Sequence, residues 1–276
     1  MGQLKVLVVA ADGFIGSYLK HYLQDRYEVI AIHKHDQIDF TLQSAVNALL
    51  DSVKPNVVIN CLTYGFRHTT EQDHGAEVAK NLAMFYNFYS CQDKFDQYIN
   101  IGSGAEFDRT INIENKSEQE IWQVMPMDSY GFAKNTIART ICNLEKFTTL
   151  RLFGCFGSQE WSTRFFKSFL MTDGIYEIKG NRFFDYISIQ DFASIVNYII
   201  VNRILKDDIN CVYEHKLRLD ELLKVFCDVN NLPKRYTVIN FTDVNYTGSG
   251  SRLNLYHTVN LAGLESGMQI YAKELL

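Results

Sequence analysis

Continuous apolar, β-branched runs alternate along the N-terminal half of the chain with stretches whose apolar residues recur at helical spacing. The runs are Lys5 to Ala10, Val29 to Ile32, Val57 to Cys61, Tyr98 to Ile101 and Thr149 to Phe153. Runs of this kind suit strands buried on both faces of a parallel sheet. Gln43 to Ser52, Glu77 to Gln92 and Ser129 to Lys146 carry the helical spacing, and Tyr18, Leu19, Tyr22 and Leu23 share one side of another amphipathic stretch. The rhythm predicts an α/β fold, a doubly wound parallel sheet with right-handed crossovers. No internal repeat, low-complexity tract or linker interrupts it. From about Gly157 the elements mix, which predicts a small C-terminal mixed α/β cap interleaved with the last strands of the sheet.

The first run ends in Ala10-Ala11-Asp12-Gly13-Phe14-Ile15-Gly16, and the amphipathic stretch follows at once. Strand, glycine turn and helix is the context of a dinucleotide fingerprint in a Rossmann sheet. Backbone N–H groups must approach a pyrophosphate at the helix N-terminus, where side chains would stand in the way. Gly13 and Gly16 fall on the second and third glycines of G-x-x-G-x-x-G. Ala10 replaces the first, and a turn needing positive φ would strain it. An ordinary βα loop with two glycines gives the same local pattern. The division expected is residues 1–156 as an NAD(P)-binding Rossmann domain and 157–276 as the substrate-binding part.

Further along stands Ser129-Tyr130-Gly131-Phe132-Ala133-Lys134, with Ser103 upstream. Tyr130 and Lys134, four residues apart, share one helix face. An ammonium there favours the phenolate of a group whose ordinary pKa is about 10. A serine hydroxyl beside them holds a substrate oxygen while the proton moves. Ser103, Tyr130 and Lys134 are therefore the candidate catalytic residues for chemistry at a carbinol or ketone. Taken alone, a Tyr and a Lys at this spacing are common on helices.

Composition narrows the classes. The chain has 276 residues, 47% of them hydrophobic, enough for a large core. Its mean hydropathy is −0.13, and no run approaches the roughly 18 apolar residues of a membrane span. The chain enters a core strand directly, so no signal peptide is expected and a cytoplasmic setting is. A net charge of −5 disfavours non-specific binding to nucleic acid. Cys61, Cys91, Cys142, Cys155, Cys211 and Cys227 have no C-x-x-C spacing, which predicts reduced, buried thiols. The histidines show no metal-ligand spacing, and no metal is expected.

Other segments carry a family resemblance. They are Lys54-Pro55-Asn56 with Val57 to Tyr64, the helical Asn81, Ile101 to Phe107, Leu150-Arg151-Leu152-Phe153-Gly154, and Phe184 to Asp191. With the glycine turn and the Tyr–Lys pair, these resemble, in order, the motifs of the extended short-chain dehydrogenase/reductase family, in its nucleotide-sugar 4-ketoreductase branch. Gly154 stands where the family has Asn, and Phe107 where it has Tyr. The resemblance implies cofactor contacts from Ala10, Asp12, Gly13, Phe14, Ile15 and Gly16, and from Cys61, Leu62 and Thr63 after the third strand. It adds Asn81, an adenine-contacting pair at Asp39 and Phe40, Tyr130, and Lys134 on the nicotinamide ribose. Substrate contacts are implied for Ser103, Gly104 and Ala105. Arg164, Arg182 and Arg252 are candidate clamps for nucleotide phosphates, since a guanidinium offers paired donors; a solvated surface role suits each as well. Arg182 stands two residues before the pattern's arginine.

The resemblance also bears on cofactor and reaction. NAD-preferring relatives carry an acid at the end of strand two. That place holds His33 and Lys34, with His35 next, so NADP(H) is favoured and NAD(H) is the other option. Gly104 and Ala105 occupy the positions where 4,6-dehydratases need an acid–base pair. Glu106, one residue on, is expected on the opposite strand face. The implied function is NADPH-dependent reduction of a nucleotide-linked 4-keto-6-deoxyhexose at C4, in deoxysugar biosynthesis. The alternatives are a C4 epimerase with tightly held NAD, or a 3,5-epimerase/4-reductase using Cys61, His68 or Cys155. A dinucleotide-binding sensor or structural subunit is disfavoured, because Ser103, Tyr130 and Lys134 are all present. A homodimer through the two long helices is implied, with the nucleotide sugar as the small-molecule partner.

Overall fold

The structure, a computed structural model, describes residues 3–65, 73–256 and 258–275. In chain order the first elements are β1 Lys5–Val9, α1 Phe14–Leu23, β2 Glu28–Ile32, α2 Gln43–Val53, β3 Val57–Asn60, α3 His74–Ser90 and β4 Gln97–Ser103. Then come β5 Ile113–Lys116, α4 Ser129–Ile141, β6 Phe147–Leu152, β7 Cys155–Phe156, α5 Phe165–Met171, β8 Tyr176–Ile178 and β9 Ile187–Ser188. The last are α6 Ile189–Val201, β10 Asp207–Asn210, α7 Leu219–Asn230, β11 Tyr236–Val238, β12 Tyr246–Gly248 and α8 Leu264–Leu275.

Six strands form one sheet in the order β10-β6-β4-β3-β1-β2. β1 runs parallel to β2 and β3, and β3 to β4. From β1 the chain steps outward to β2, then returns to β3 and proceeds the other way. The order thus reverses between β1 and β3, the switch point at which ligands enter sheets of this type. The fold is the doubly wound Rossmann arrangement expected.

The chain forms two compact units: Met1–Arg109 with Gln119–Arg151 and Val196–Ile209, and Thr110–Glu118 with Leu152–Ile195 and Asn210–Leu276. This differs from a single boundary after residue 156. β5 pairs with β12 in the second unit, while the segment containing β10 completes the sheet of the first.

In the first unit, Leu7, Val9 and Val58 pack with Phe85, Phe88, Tyr98 and Phe147. Burying each such side chain contributes about 1.5–3 kcal/mol. α1 buries Leu19 and Leu23, while Tyr18 and Tyr22 stack half-buried beside them. α4 stops at Ile141, short of Lys146. The Lys146 ammonium instead donates to the carbonyls of Gln92 and Phe95, just beyond α3. No disulfide joins the cysteines; Cys91, Cys155, Cys211 and Cys227 are buried. Among the described residues no helix is long and apolar enough to cross a membrane.

Ala10 has φ of 61°, a left-handed conformation in which its Cβ is crowded. The first residue of the glycine turn is thus the strained position the sequence suggested. Ala10→Gly is expected to raise stability by about 1 kcal/mol, seen as a higher denaturant midpoint.

The second unit has its own core, with Phe156, Phe166, Phe169, Leu222, Phe226 and Tyr271. Glu160 is buried against it, and the Tyr271 hydroxyl donates to Glu160 Oε1 at 2.8 Å. Burial pushes the Glu160 carboxyl up to about 7. The folded state therefore holds a proton that the unfolded chain releases near pH 4.5. Stability falls as pH rises between those values. Glu160→Gln, which mimics the protonated form, is expected to melt above the parent at pH 8 but not at pH 4. A parent-to-variant gap that does not widen between those pH values would contradict the assignment.

Candidate active site

β4 ends at Ser103, and the chain turns through a 3-10 segment, Gly104–Phe107. The Ser103 N–H donates to Glu106 Oε1 at 2.8 Å, and Ser103 Oγ accepts from the Ala105 N–H at 3.2 Å. That hydroxyl has one lone pair engaged and its own proton available to another acceptor. α4 begins with the neighbouring residues. Its N-cap, Asp128, accepts from the Gly131 N–H at 2.8 Å. A Cβ at Gly131 would lie 2.7 Å from the Ala105 carbonyl oxygen, so glycine lets the helix meet the turn backbone to backbone.

Lys134 follows one turn after Tyr130. It is 5% exposed, donates to the Ile101 carbonyl at 2.9 Å, and lies with Nζ 6.0 Å from the centre of the Tyr130 ring. Asn135 donates to the Glu106 carbonyl at 2.8 Å. Ser103 and Tyr130 are half-buried. The end of β4 and the start of α4 thus bring Ser103, Tyr130 and Lys134 together. Gly104 and Ala105 are buried in the turn beneath them.

Two neighbours escaped the sequence analysis. The Arg109 guanidinium stands 5.6 Å from the Tyr130 ring centre and donates to both oxygens of Asp128, at 2.7 and 3.3 Å. Asp128 was legible as a capping residue before a helix; Arg109 carried no signal. Beside the starts of α3 and α4 opens a cavity of about 490 Å³, lined by His74, Gly75, Val78, Pro126, Met127, Asp128, Ser129 and Phe132. Ser129 donates to the buried Glu77 and lies 3.0 Å from His74 Nδ1.

Glu106 is turned into the interior, but not by strand alternation, because its backbone is 3-10. Burial pushes its carboxyl up, against the pull of Arg151.

At the glycine turn the Gly13 N–H donates to the Ala10 carbonyl at 3.2 Å, and a Cβ at Gly16 would lie 2.4 Å from that same oxygen. α1 opens at Gly13 with no side-chain cap and no acid in its first turn, leaving N–H groups for an anion. Phe14 and Ile15 are half-buried there. This cradle fits a pyrophosphate.

The end of β2 differs from expectation. Asp12, reaching over from the glycine turn, accepts from the Lys34 N–H and lies 2.8 Å from His33 Nδ1. Those bonds, the Lys34 one foremost, hold its carboxyl below the usual range. A carboxylate does guard this position, supplied by the turn rather than by strand two. The His33 and His35 rings stack at 5.1 Å, and donor atoms of Asp12, His33 and His35 lie within 4.8 Å of one another, a grouping the sequence spacing did not suggest.

After β3, Cys61 is half-buried, its thiol pushed up to about 12 by desolvation against the pull of Lys134. Leu62 packs on the core and Thr63 is exposed. Asn81 exchanges hydrogen bonds at 3.0 Å with the backbone of Tyr64, bracing this loop. Phe40 is stacked on Phe88 in the core, and Asp39 is exposed and bonded to Thr41.

The three candidate arginines lie in the second unit. Arg164 donates to the Cys155 carbonyl at 3.2 Å, Arg182 to that of Val244 at 3.5 Å, and Arg252 Nε lies 3.9 Å from Glu118 Oε2. Burial pushes the Cys155 thiol well up. His68 lies outside the described residues.

Known proteins resemble this chain at two levels. The sequence profile of the NAD dependent epimerase/dehydratase family matches residues 6–211. A probable dTDP-4,6-dihydroxy-2-methyloxan-3-one 4-ketoreductase of Streptomyces antibioticus is 33% identical over 78 residues, 28% of this chain and 26% of that protein. A dTDP-4-dehydrorhamnose reductase of Aggregatibacter actinomycetemcomitans is 26% identical over 170 residues, 60% of this chain and 56% of that one. The matches thus span about a quarter and just over half of these relatives. Among solved structures, the GDP-mannoheptose C4 reductase MlghC from Campylobacter jejuni, with NADP bound, gives a TM-score of 0.80 at 17% identity, covering 99% of both chains. The dTDP-4-dehydrorhamnose reductase of Bacillus anthracis str. Ames, in complex with NADP, gives 0.81 at 14% identity, covering 99% of this chain and 100% of that one. At these identities the structural likeness concerns the fold.

Proposed function

Because the chain belongs to the NAD dependent epimerase/dehydratase family, we propose that it reduces a nucleotide-linked 4-keto-6-deoxyhexose at C4, using NADPH, in deoxysugar biosynthesis. The observation that carries this reading is the convergence of Ser103, Tyr130 and Lys134 where β4 ends and α4 begins. Ser103 keeps its proton and donates a hydrogen bond to the C4 carbonyl oxygen, one of its lone pairs being already engaged by the Ala105 N–H. Tyr130 gives its phenolic proton to the same oxygen as negative charge gathers there. Lys134 spends one donor on Ile101 and keeps two, enough to hold a ribose hydroxyl beside the ring. The cofactor, when bound, supplies the hydride.

Among the described residues, dehydration and epimerisation at C3 and C5 are poorly served. Gly104 and Ala105 cannot move a proton for dehydration. The Cys61 and Cys155 thiols, raised by burial, stay neutral and make poor bases for epimerisation at C3 and C5. NADPH is supported by Lys34, with His33 beside it, at the end of β2 and by the NADP-bound reductases of the same fold. Asp12 works against a 2′-phosphate in that place. Asp12→Asn is therefore expected to tighten NADPH about two- to fivefold with little change for NADH, as suits an exposed charge; titration of each cofactor checks it. A homodimer through α3 and α4 and a cytoplasmic setting complete the proposal, the former checked by light scattering.

The test is to mix the protein with NADPH or NADH and a panel of nucleotide-linked 4-keto-6-deoxyhexoses, following loss of the reduced nicotinamide absorbance. Consumption with one ketosugar identifies substrate and cofactor. Tightly held NAD with interconversion of C4 epimers would make the protein an epimerase instead.

A further inference from the structure

Arg151, Glu106 and Asp208 form a buried charged cluster inside the first unit. Arg151 and Glu106 are 0% exposed and Asp208 is 4% exposed. Arg151 Nε donates to Glu106 Oε2 at 2.5 Å, and a terminal nitrogen donates to Asp208 at 2.9 Å. Stability is a weak reason for such a group, since apolar replacements of buried ion clusters are often neutral or stabilising.

The remaining bonds of Glu106 point elsewhere. Its second oxygen accepts the Ser103 N–H, and its own carbonyl accepts from Asn135, the residue after Lys134. One residue therefore grips the end of β4 with its side chain and the catalytic helix with its backbone. Gly102 makes room, because a Cβ there would lie 2.7 Å from Glu106 Oε1.

We propose that Glu106, clamped by Arg151 and Asp208, is the positioning residue that fixes Ser103 against Tyr130 and Lys134 for hydrogen-bond donation to the substrate carbonyl. The inference rests on the reductase reading of Ser103. Displacing a reacting group by an ångström costs about a hundredfold in rate, which sets the scale of the effect.

Glu106→Gln is the probing substitution. It leaves Arg151 and Asp208 matched one to one, so no buried charge loses its counterion. The amide oxygen faces two donors, Ser103 N–H and Arg151 Nε, and the charged donor holds it more strongly. Ser103 then meets an NH2 group and loses its acceptor.

NADPH oxidation is followed with the panel ketosugar that the wild type reduces, dTDP-4-dehydrorhamnose being tried first. The kcat of Glu106→Gln is expected to fall about 10- to 100-fold, with KM for the ketosugar and affinity for NADPH within about twofold. In a Ser103→Ala background the same substitution is expected to change kcat less than about twofold, because the two act as one device. An undiminished kcat, or an equal loss with and without Ser103, would leave Glu106 a structural residue and overturn the proposal. If Ser103→Ala itself leaves turnover intact, the reading of the site falls, and this proposal with it. Should Glu106→Gln fail to fold, Arg151→Lys enters the same cycle, keeping the charge but losing the fork that grips both carboxylates.

Discussion

Tyr130→Phe is expected to lower kcat by about a hundred- to ten-thousand-fold, the range of general acid catalysis, while NADPH affinity changes less than about twofold. The substitution removes one oxygen and its proton and leaves the ring between Arg109 and Lys134. Each cation has an anchor besides the ring: Lys134 donates to the Ile101 carbonyl and Arg109 to Asp128. Ser103 still polarises the carbonyl in the variant, so residual turnover above background is expected. Steady-state rates and a fluorescence titration with NADPH separate the two effects. Full activity in the variant would mean that another group supplies the proton. Absence of turnover in wild type and variant alike, on every ketosugar, would favour a dinucleotide-binding module.

Arg151→Leu is expected to destabilise the protein by about 3–5 kcal/mol, the scale seen when one partner of a buried ion cluster is removed. The substitution leaves Glu106 and Asp208 inside with no counterion. Both carboxyls then ionise at higher pH in the folded state than in the unfolded chain, where carboxyls titrate at about 4. Folding of the variant takes up protons, so its stability falls as pH rises above about 4. The deficit against wild type should accordingly be larger at pH 8 than at pH 5. Urea midpoints at both values check this; a deficit independent of pH would mean that lost packing, not stranded charge, is the cause.

What the sequence disclosed follows from the range of the interactions. Buried strands announce themselves as apolar runs: β1 and β3 lie within the runs expected, and β6 overlaps its run but starts earlier, at Phe147. Tyr130 and Lys134 were legible because one helical turn separates them, and the glycine turn because its neighbours along the chain define it. Arg151 and Glu106 stand 45 residues apart, and Asp12 and His33 stand 21 apart. Such pairs exist only after the sheet has ordered its strands, and nothing local in the sequence marks them. The Ser129 to Lys146 segment shows the opposite error. Its helical spacing continues past Ile141, but Lys146 is held by carbonyls beyond α3.

The discontinuity of the first unit has a consequence for how the protein is made. Gln97 on β4 donates to the carbonyls of Ile199 and Ile204, Thr148 to that of Ile204, and Arg151 to Asp208. All three residues are translated long before their partners. At about 5–20 residues per second, the ribosome takes several seconds between them. Until then the nascent nucleotide-binding sheet lacks an edge strand and holds a buried arginine short of one carboxylate. The first unit cannot close during synthesis of its own N-terminal half, so a chain terminated after residue 156 is expected to be a client for chaperones rather than a working fragment.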